Sequence, residues 1–275
     1  MKLRRIVTGT LACAAALAAT ARAQAPVMDV GAIPEYDAVQ PGGTFRVAIR
    51  LQVPEGWHIY WTNPGTSGLP TTLAWRVPAG VTAGATEWPY PETDDADGDV
   101  TNVYRGTVVA FSSFTAGRDA SGRLTLSADL VWGLCRVQCV RQERTVTVTL
   151  AVSTRAPQRS ADWAAAEAAS RFLPMRERGA TFTATARGDS VRLVLAGLKA
   201  GPAPGSWVTY FPLEPGLPSL VAQVRGAEGG TLIVLPRAVV GDSTAVRLTG
   251  VLVAAHAAGA PPPVRAIAVD APVTR

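Results

Sequence analysis

The chain has 275 residues, of which 48% are hydrophobic and 17% charged, a globular balance that excludes an intrinsically disordered polymer. Its 26 glycines and 21 prolines follow no period, which excludes a collagen-like repeat and favours a turn-rich fold. A formal charge of +5 raises nucleic acid and membrane surfaces as partners, but no arginine cluster supports either.

The N-terminus accounts for most of that charge. A basic start (MKLRR) precedes the apolar, alanine-rich run at 6–20 and the small-x-small triplet Ala21-Arg22-Ala23. This is the pattern of a secretory signal peptide cleaved after Ala23. Cleavage removes four positive charges and no acid, leaving a net charge of +1. Nucleic acid is then not expected as a partner. No later stretch reaches about 18 uninterrupted apolar residues, so no membrane span is expected in the mature chain. Of three cysteines, Cys13 leaves with the leader, and Cys135 and Cys139 remain in an oxidising compartment.

The remainder reads as all-β. Phe45, Val47, Ile49, Leu51 and Val53 alternate with polar or small residues, the mark of a strand with one buried face. Turn signals follow at Pro54-Glu55-Gly56, Asn63-Pro64-Gly65, Pro78-Ala79-Gly80 and Asp97-Gly98. Trp57, Trp61, Trp75 and Trp88, with Tyr60 and Tyr90, form an aromatic-rich stretch. It is read as the core and rim of a sandwich rather than a ligand cage. Alternation across 56–65 places His58 and Tyr60 on one face. His58 and His256 are the only histidines, which leaves zinc or copper sites built on histidine pairs poorly supported.

Residues 92–99 (ETDDADGD) carry five acids, Glu92, Asp94, Asp95, Asp97 and Asp99. They half-match a calcium loop, with Thr93 and Tyr104 standing where an acidic ligand belongs. A solvated acidic loop is the simpler expectation. Folded over the cysteines, such a loop would disfavour a thiolate and raise its pKa.

Two further alternating runs, Leu124–Leu130 and Val146–Val152, flank the cysteine pair. A disulfide needs Cα atoms about 4.4–6.8 Å apart, whereas four residues of straight strand span about 13 Å. The pair can bond only if the chain reverses at Arg136-Val137-Gln138, as in a hairpin. So small a ring gains little from loop closure and is expected to be strained and exchangeable. Spacing alone leaves a structural staple and a redox pair equally open. Hydrolase signals are weak, since Gly65-Thr66-Ser67-Gly68 is not a nucleophile elbow, and phosphate-loop and dinucleotide signatures are lacking.

Residues 160–173 (SADWAAAEAASRFL) read as one helix capped by Ser160 and stopped by Pro174. Strand patterns then resume at Phe182–Ala186, Val191–Leu195, 206–211, 231–235, 245–253 and 264–269, with a stiff loop at Pro261–Pro263. The expected organisation is a β-sandwich over 24–155, a helical linker over 156–179 and a second, smaller sandwich over 180–275.

Three segments in order, GWHIYWTNPGTSGLPTTLAW (56–75), EWPYPE (87–92) and the cysteine pair after a strand (130–139), resemble the N-terminal periplasmic domain of DsbD-type thiol:disulfide interchange proteins. The resemblance is to the ScsB-like branch, linked to copper tolerance, and covers roughly 40–155. Tyr210-Phe211-Pro212 is a looser match to the region that follows in longer members. The resemblance implies immunoglobulin-like sandwiches, a periplasmic location and no cofactor. It implies catalytic Cys135 and Cys139, and partners that are thioredoxin-fold redox proteins or a membrane thiol conduit. Asp94, Asp95, Asp97 and Tyr104 become candidates for a cap or for tuning the thiol pKa. Trp57, His58, Tyr60 and Trp132 become a candidate aromatic surround.

Three departures stand out. Val140-Arg141 follow the second cysteine where the family usually has a nearby proline. The cap segment is acidic and lacks an aromatic shield. The chain ends at Arg275 without the membrane conduit and thioredoxin domain of full-length members, so a borrowed donor is expected. Two other readings use the same cysteines: a non-catalytic scaffold with a structural disulfide, and Cu(I) handling through the thiols.

Overall fold

Alternating apolar residues assemble two groups of strands in this computed structural model, which describes residues 25–96, 98–199, 201–227, 230–236, 247–254 and 266–274. The expected signal peptide and its cleavage site, Asp97, His256 and the Pro261–Pro263 loop lie outside those residues. The described residues are almost all β, with 62% in strands and 4% in helix.

The first group comprises β1 (Asp29–Pro34), β2 (Ala38–Val39), β3 (Thr44–Gln52), β4 (Ile59–Gly65), β5 (Thr72–Arg76), β6 (Val81–Glu87), β7 (Glu92–Ala96), β8 (Asp99–Tyr104), β9 (Thr107–Ala116), β10 (Arg123–Cys135) and β11 (Cys139–Val152). Two four-stranded sheets, β1-β3-β9-β6 and β2-β11-β10-β5, form the sandwich. Phe45, Val47, Ile49 and Leu51 from β3 meet Leu124, Leu126, Ala128 and Leu130 from β10 in one buried cluster. Their alternation therefore reads out the inner faces of the two sheets. A third sheet, β4-β8-β7, carries the aromatic and acidic segments.

That third sheet corrects the expected acidic loop. Glu92–Ala96 pairs antiparallel with Asp99–Tyr104, from Glu92 opposite Val103 to Ala96 opposite Asp99. Acidic residues have weak strand preference, but β-propensity yields to pairing and context. Glu92 and Asp94 also share Arg105 as their cation, at 3.2 and 2.7 Å.

The helix is shorter than its alanine-rich run. It spans α1 (Trp163–Ala169), followed by a 3-10 turn at Ser170–Phe172. Ser160 does not cap it. The Ser160 hydroxyl donates to the Pro34 carbonyl, and the N-cap position falls to Asp162, whose side chain makes no capping bond. Trp163 and Ala166 are buried against Ala48, Val109 and Phe111 of the first sheet, so the segment is packed down rather than a free tether.

The second group comprises β12 (Thr181–Arg187), β13 (Ser190–Ala196), β14 (Trp207–Pro212), β15 (Leu220–Ala227), β16 (Gly230–Pro236), β17 (Arg247–Ala254) and β18 (Ala266–Thr274). Alternation predicted two facing sheets here. The strands instead close into one barrel, in the order β12-β13-β16-β15-β14-β17-β18. Closure comes from a short parallel pairing of Ala184 and Thr185 with Val273 and Thr274. An inward–outward alternation is common to both architectures, so only that long-range pairing distinguishes them.

Candidate redox site and its relatives

Strands β10 and β11 form a hairpin whose register runs unbroken from Arg123 opposite Ala151 to Cys135 opposite Cys139. The cysteines are therefore the last pair before the turn Arg136-Val137-Gln138, and the sequence expectation of a reversal holds. Their Cα atoms are 4.1 Å apart and the sulfurs are bonded.

The two cysteines differ in exposure. Cys135 is 2% exposed. Its backbone is fixed on its other side by His58, with His58 N donating to Cys135 O and Cys135 N to His58 O, each at 2.9 Å. Cys139 opens the outgoing strand and is exposed. Val137 and Val140, its near neighbours in sequence, are exposed apolar residues, and so is Leu69, which lies against Gly133. Gly133 makes room for Leu69, since a Cβ there would lie 3.2 Å from Leu69 Cβ and 3.8 Å from Cys135 Sγ. The disulfide therefore joins an exposed residue to a buried one.

Strand β4 supplies the neighbours. Tyr60, Val103 and Cys135 form a small buried cluster, and Tyr60 Oη lies 3.8 Å from Cys139 Sγ. The rings of His58 and Tyr60 meet edge-on at 5.4 Å, so both lie on one face as alternation predicted. Burial and the Arg105 guanidinium lower the His58 pKa, with Asp94 opposing. Burial, then Asp99 and Asp94, raises that of Tyr60.

The other candidates are distributed differently. Asp94 acts on both His58 and Tyr60, whereas Asp95 is exposed on the same strand. Tyr104 points the opposite way from Val103, into the main core. Its hydroxyl donates to the Pro89 carbonyl at 2.5 Å and its ring stacks on Trp88; burial alone raises its pKa far above the usual phenol value. Trp132 is buried in that core, and Trp57 packs half-buried at its edge. Of the proposed surround, His58 and Tyr60 therefore gather at the cysteines.

Comparison with known families matches residues 24–151 to the description "Thiol:disulfide interchange protein DsbD, N-terminal". Residues 24–151 are thus similar to a DsbD-type N-terminal domain. Among solved structures, the chain is similar to the N-terminal periplasmic domain of ScsB from Proteus mirabilis. Identity is 19%, coverage is 89% of this chain and 93% of that one, and the TM-score is 0.51. That likeness speaks for the fold and extends over both strand groups. The full-length major pilin SpaD from Corynebacterium diphtheriae overlaps at 11% identity, 87% and 59% coverage and a TM-score of 0.29. No curated protein matches the chain.

The DsbD-type domain has contributors that motif reading missed. Gly68 is one. A Cβ there would meet three Tyr60 ring atoms at 2.5–2.6 Å, so the backbone at Gly68 lies directly on the ring. Asn63 is another. It is fully buried on β4, three residues from Tyr60. Its Nδ2 donates to Pro212 O at 2.8 Å and Leu217 O at 2.9 Å, and its Oδ1 accepts from Gly65 N and Gly216 N. The Asn63-Pro64-Gly65 signal, read as a turn in sequence, is the tail of a strand that grips the barrel.

Proposed function

We propose that the chain is a periplasmic thiol–disulfide interchange protein that relays reducing equivalents between a thioredoxin-like donor and oxidised exported proteins through Cys135 and Cys139. The observation that carries this reading is the asymmetry of the pair within a DsbD-type domain: an exposed Cys139 bonded to a buried Cys135. The signal-peptide pattern at residues 1–23 supports the location.

In the reduced state the Cys139 thiolate attacks a partner disulfide, forming a mixed disulfide and expelling one partner thiolate. The Cys135 thiolate then attacks Cys139 Sγ, closes the ring and releases the second partner thiolate. Two electrons pass to the partner, and two protons leave the cysteines and end on its thiols. A thioredoxin-like dithiol reverses the sequence. The exposed apolar side chains of Val137 in the turn and of Leu69 beside Gly133 offer a partner a dry contact at the tip of the hairpin.

Trapping tests the reading. Cys135→Ser leaves the exposed thiol without its resolving partner and is expected to accumulate mixed disulfides with thioredoxin-fold proteins. Cys139→Ser, whose remaining thiol is buried, is expected to accumulate at least about tenfold less. A reduction potential well below about −300 mV, the range of structural disulfides, together with no trapped partner, would establish a staple instead.

A further inference from the structure

We propose that Tyr60 is a positioning residue for the exchange chemistry: its hydroxyl holds the Cys139 sulfur in the oxidised state and donates a hydrogen bond to the Cys139 thiolate in the reduced state. This rests on the interchange reading above and assigns a role within it.

Geometry carries the assignment. A disulfide sulfur has no proton, so across the 3.8 Å contact the Tyr60 hydroxyl is the donor and Cys139 Sγ the acceptor. The ring is held from several directions. The Gly68 backbone lies on it, His58 meets it edge-on, and Val103 and Cys135 pack against it. The backbone is held too, with Thr71 Oγ1 donating to Tyr60 O at 2.6 Å. A donor fixed before the reaction needs no reorganisation when charge develops on the sulfur.

The charged surroundings give the hydroxyl its purpose. Burial first, then Asp99 on β8 and Asp94 on β7, raises the Tyr60 pKa, so the phenol keeps its proton wherever a thiol titrates. Those same carboxylates oppose a thiolate in this neighbourhood. His58 is held toward its neutral form, Arg105 is engaged by Glu92 and Asp94, and on the hairpin itself Arg141 pairs with Glu143 while Arg136 stands exposed in the turn. The side chains of Val137, Val140 and Leu69 carry no donor. A hydrogen bond to an ionised acceptor is roughly twice as strong as one between neutral groups. The hydroxyl that holds the neutral disulfide sulfur therefore gains most of its effect when the pair is reduced. Tyr60 loses no proton at any step; the electron pair moves between sulfurs, as written above.

The test is the pH dependence of Cys139 alkylation in the Cys135→Ser background, read on the peptide that carries Cys139. Tyr60→Phe removes one oxygen and keeps the ring. It is expected to raise the alkylation midpoint by about one pH unit, a roughly tenfold loss of thiolate below the midpoint. A midpoint that stays put, or falls, overturns the proposal. If Tyr60→Phe fails to fold, 3-fluorotyrosine at position 60 keeps the shape and makes the hydroxyl a stronger donor. The midpoint must then fall, and an unchanged value is equally fatal. Alkylation needs no partner, so the Tyr60 effect is measured even if the wild-type pair proves inert toward dithiols, which would remove the interchange reading by itself.

Discussion

His58 contributes to the site through both backbone and ring, and the ring makes stability depend on pH. Its folded pKa lies below the ordinary value of 6.5, chiefly through burial and then through Arg105. Between the lowered value and 6.5 the unfolded chain binds more protons at this site than the folded one, so stability rises with pH there. The His58 contribution is complete above 6.5 and is lost as the pH falls through the folded pKa. Urea midpoints measured at pH 7.5 and 5 should fall on acidification, and His58→Gln should flatten that part of the drop. An unchanged slope in the variant would show that His58 does not titrate in this range.

The pairing of His58 with Tyr60 on one face was readable from sequence, because alternation by two is a local property of a strand. The contact of Tyr60 with Cys139 was not. It spans 79 residues and depends on the loop at Gly68 crossing the ring, which no periodicity encodes. Tyr104 illustrates the opposite difficulty. The neighbouring Val103 faces Cys135, and a one-residue change in register decides which of the two reaches the site.

The hairpin β10–β11 places its cysteine pair at the tip, and the tip carries apolar residues that its own fold does not bury. Val137 is 92% exposed at the centre of the turn. Val137→Asp should leave reduction by a small thiol such as dithiothreitol unchanged and lower the exchange rate with a thioredoxin-fold protein by about tenfold or more. Equal effects on both reactions would mean that the substitution disturbs the disulfide itself. The hairpin was legible because its long flanking runs alternate cleanly and because the cysteine spacing demands a reversal. Strand β7 was not, since Glu92, Asp94 and Asp95 resemble a solvated turn until β8 lies beside them. Strand β15 escaped for a related reason. Its inward residues include the small Ala222, and Val221 points out to solvent, so the apolar signal is blurred.

At the scale of the molecule, the sandwich and the barrel share a core. Phe211, Val251, Val253 and Ala266 of the barrel strands belong to the same buried cluster as Trp61 and the sandwich interior, and Trp61 meets Phe211 edge-on at 6.1 Å. Asn63 fastens the junction, aided by the Thr93 and Ser219 hydroxyls 3.0 Å apart. Heating should therefore produce one calorimetric transition for both units. Asn63→Ala strands buried carbonyls and amides on both sides. It should cost about 3 kcal/mol and broaden or split that transition. Two transitions in the wild type would show that the units melt independently. The junction was hidden in sequence because Asn63 reaches partners about 150 residues away, beyond any local pattern.

The closure of the barrel also sets a timetable. Strand β12 finds its second neighbour only in β18, and Met175, just after the helix, exchanges backbone hydrogen bonds with Ala266 and Ala268 at the start of that strand. Both contacts wait for residues made some ninety positions later, whereas every sheet of the sandwich is internally paired by Val152. A nascent chain can thus complete the cysteine hairpin while the barrel is still an open sheet with two unsatisfied edges. Until β18 arrives, that half-built sheet is the part of the chain most exposed to proteases and to mispairing.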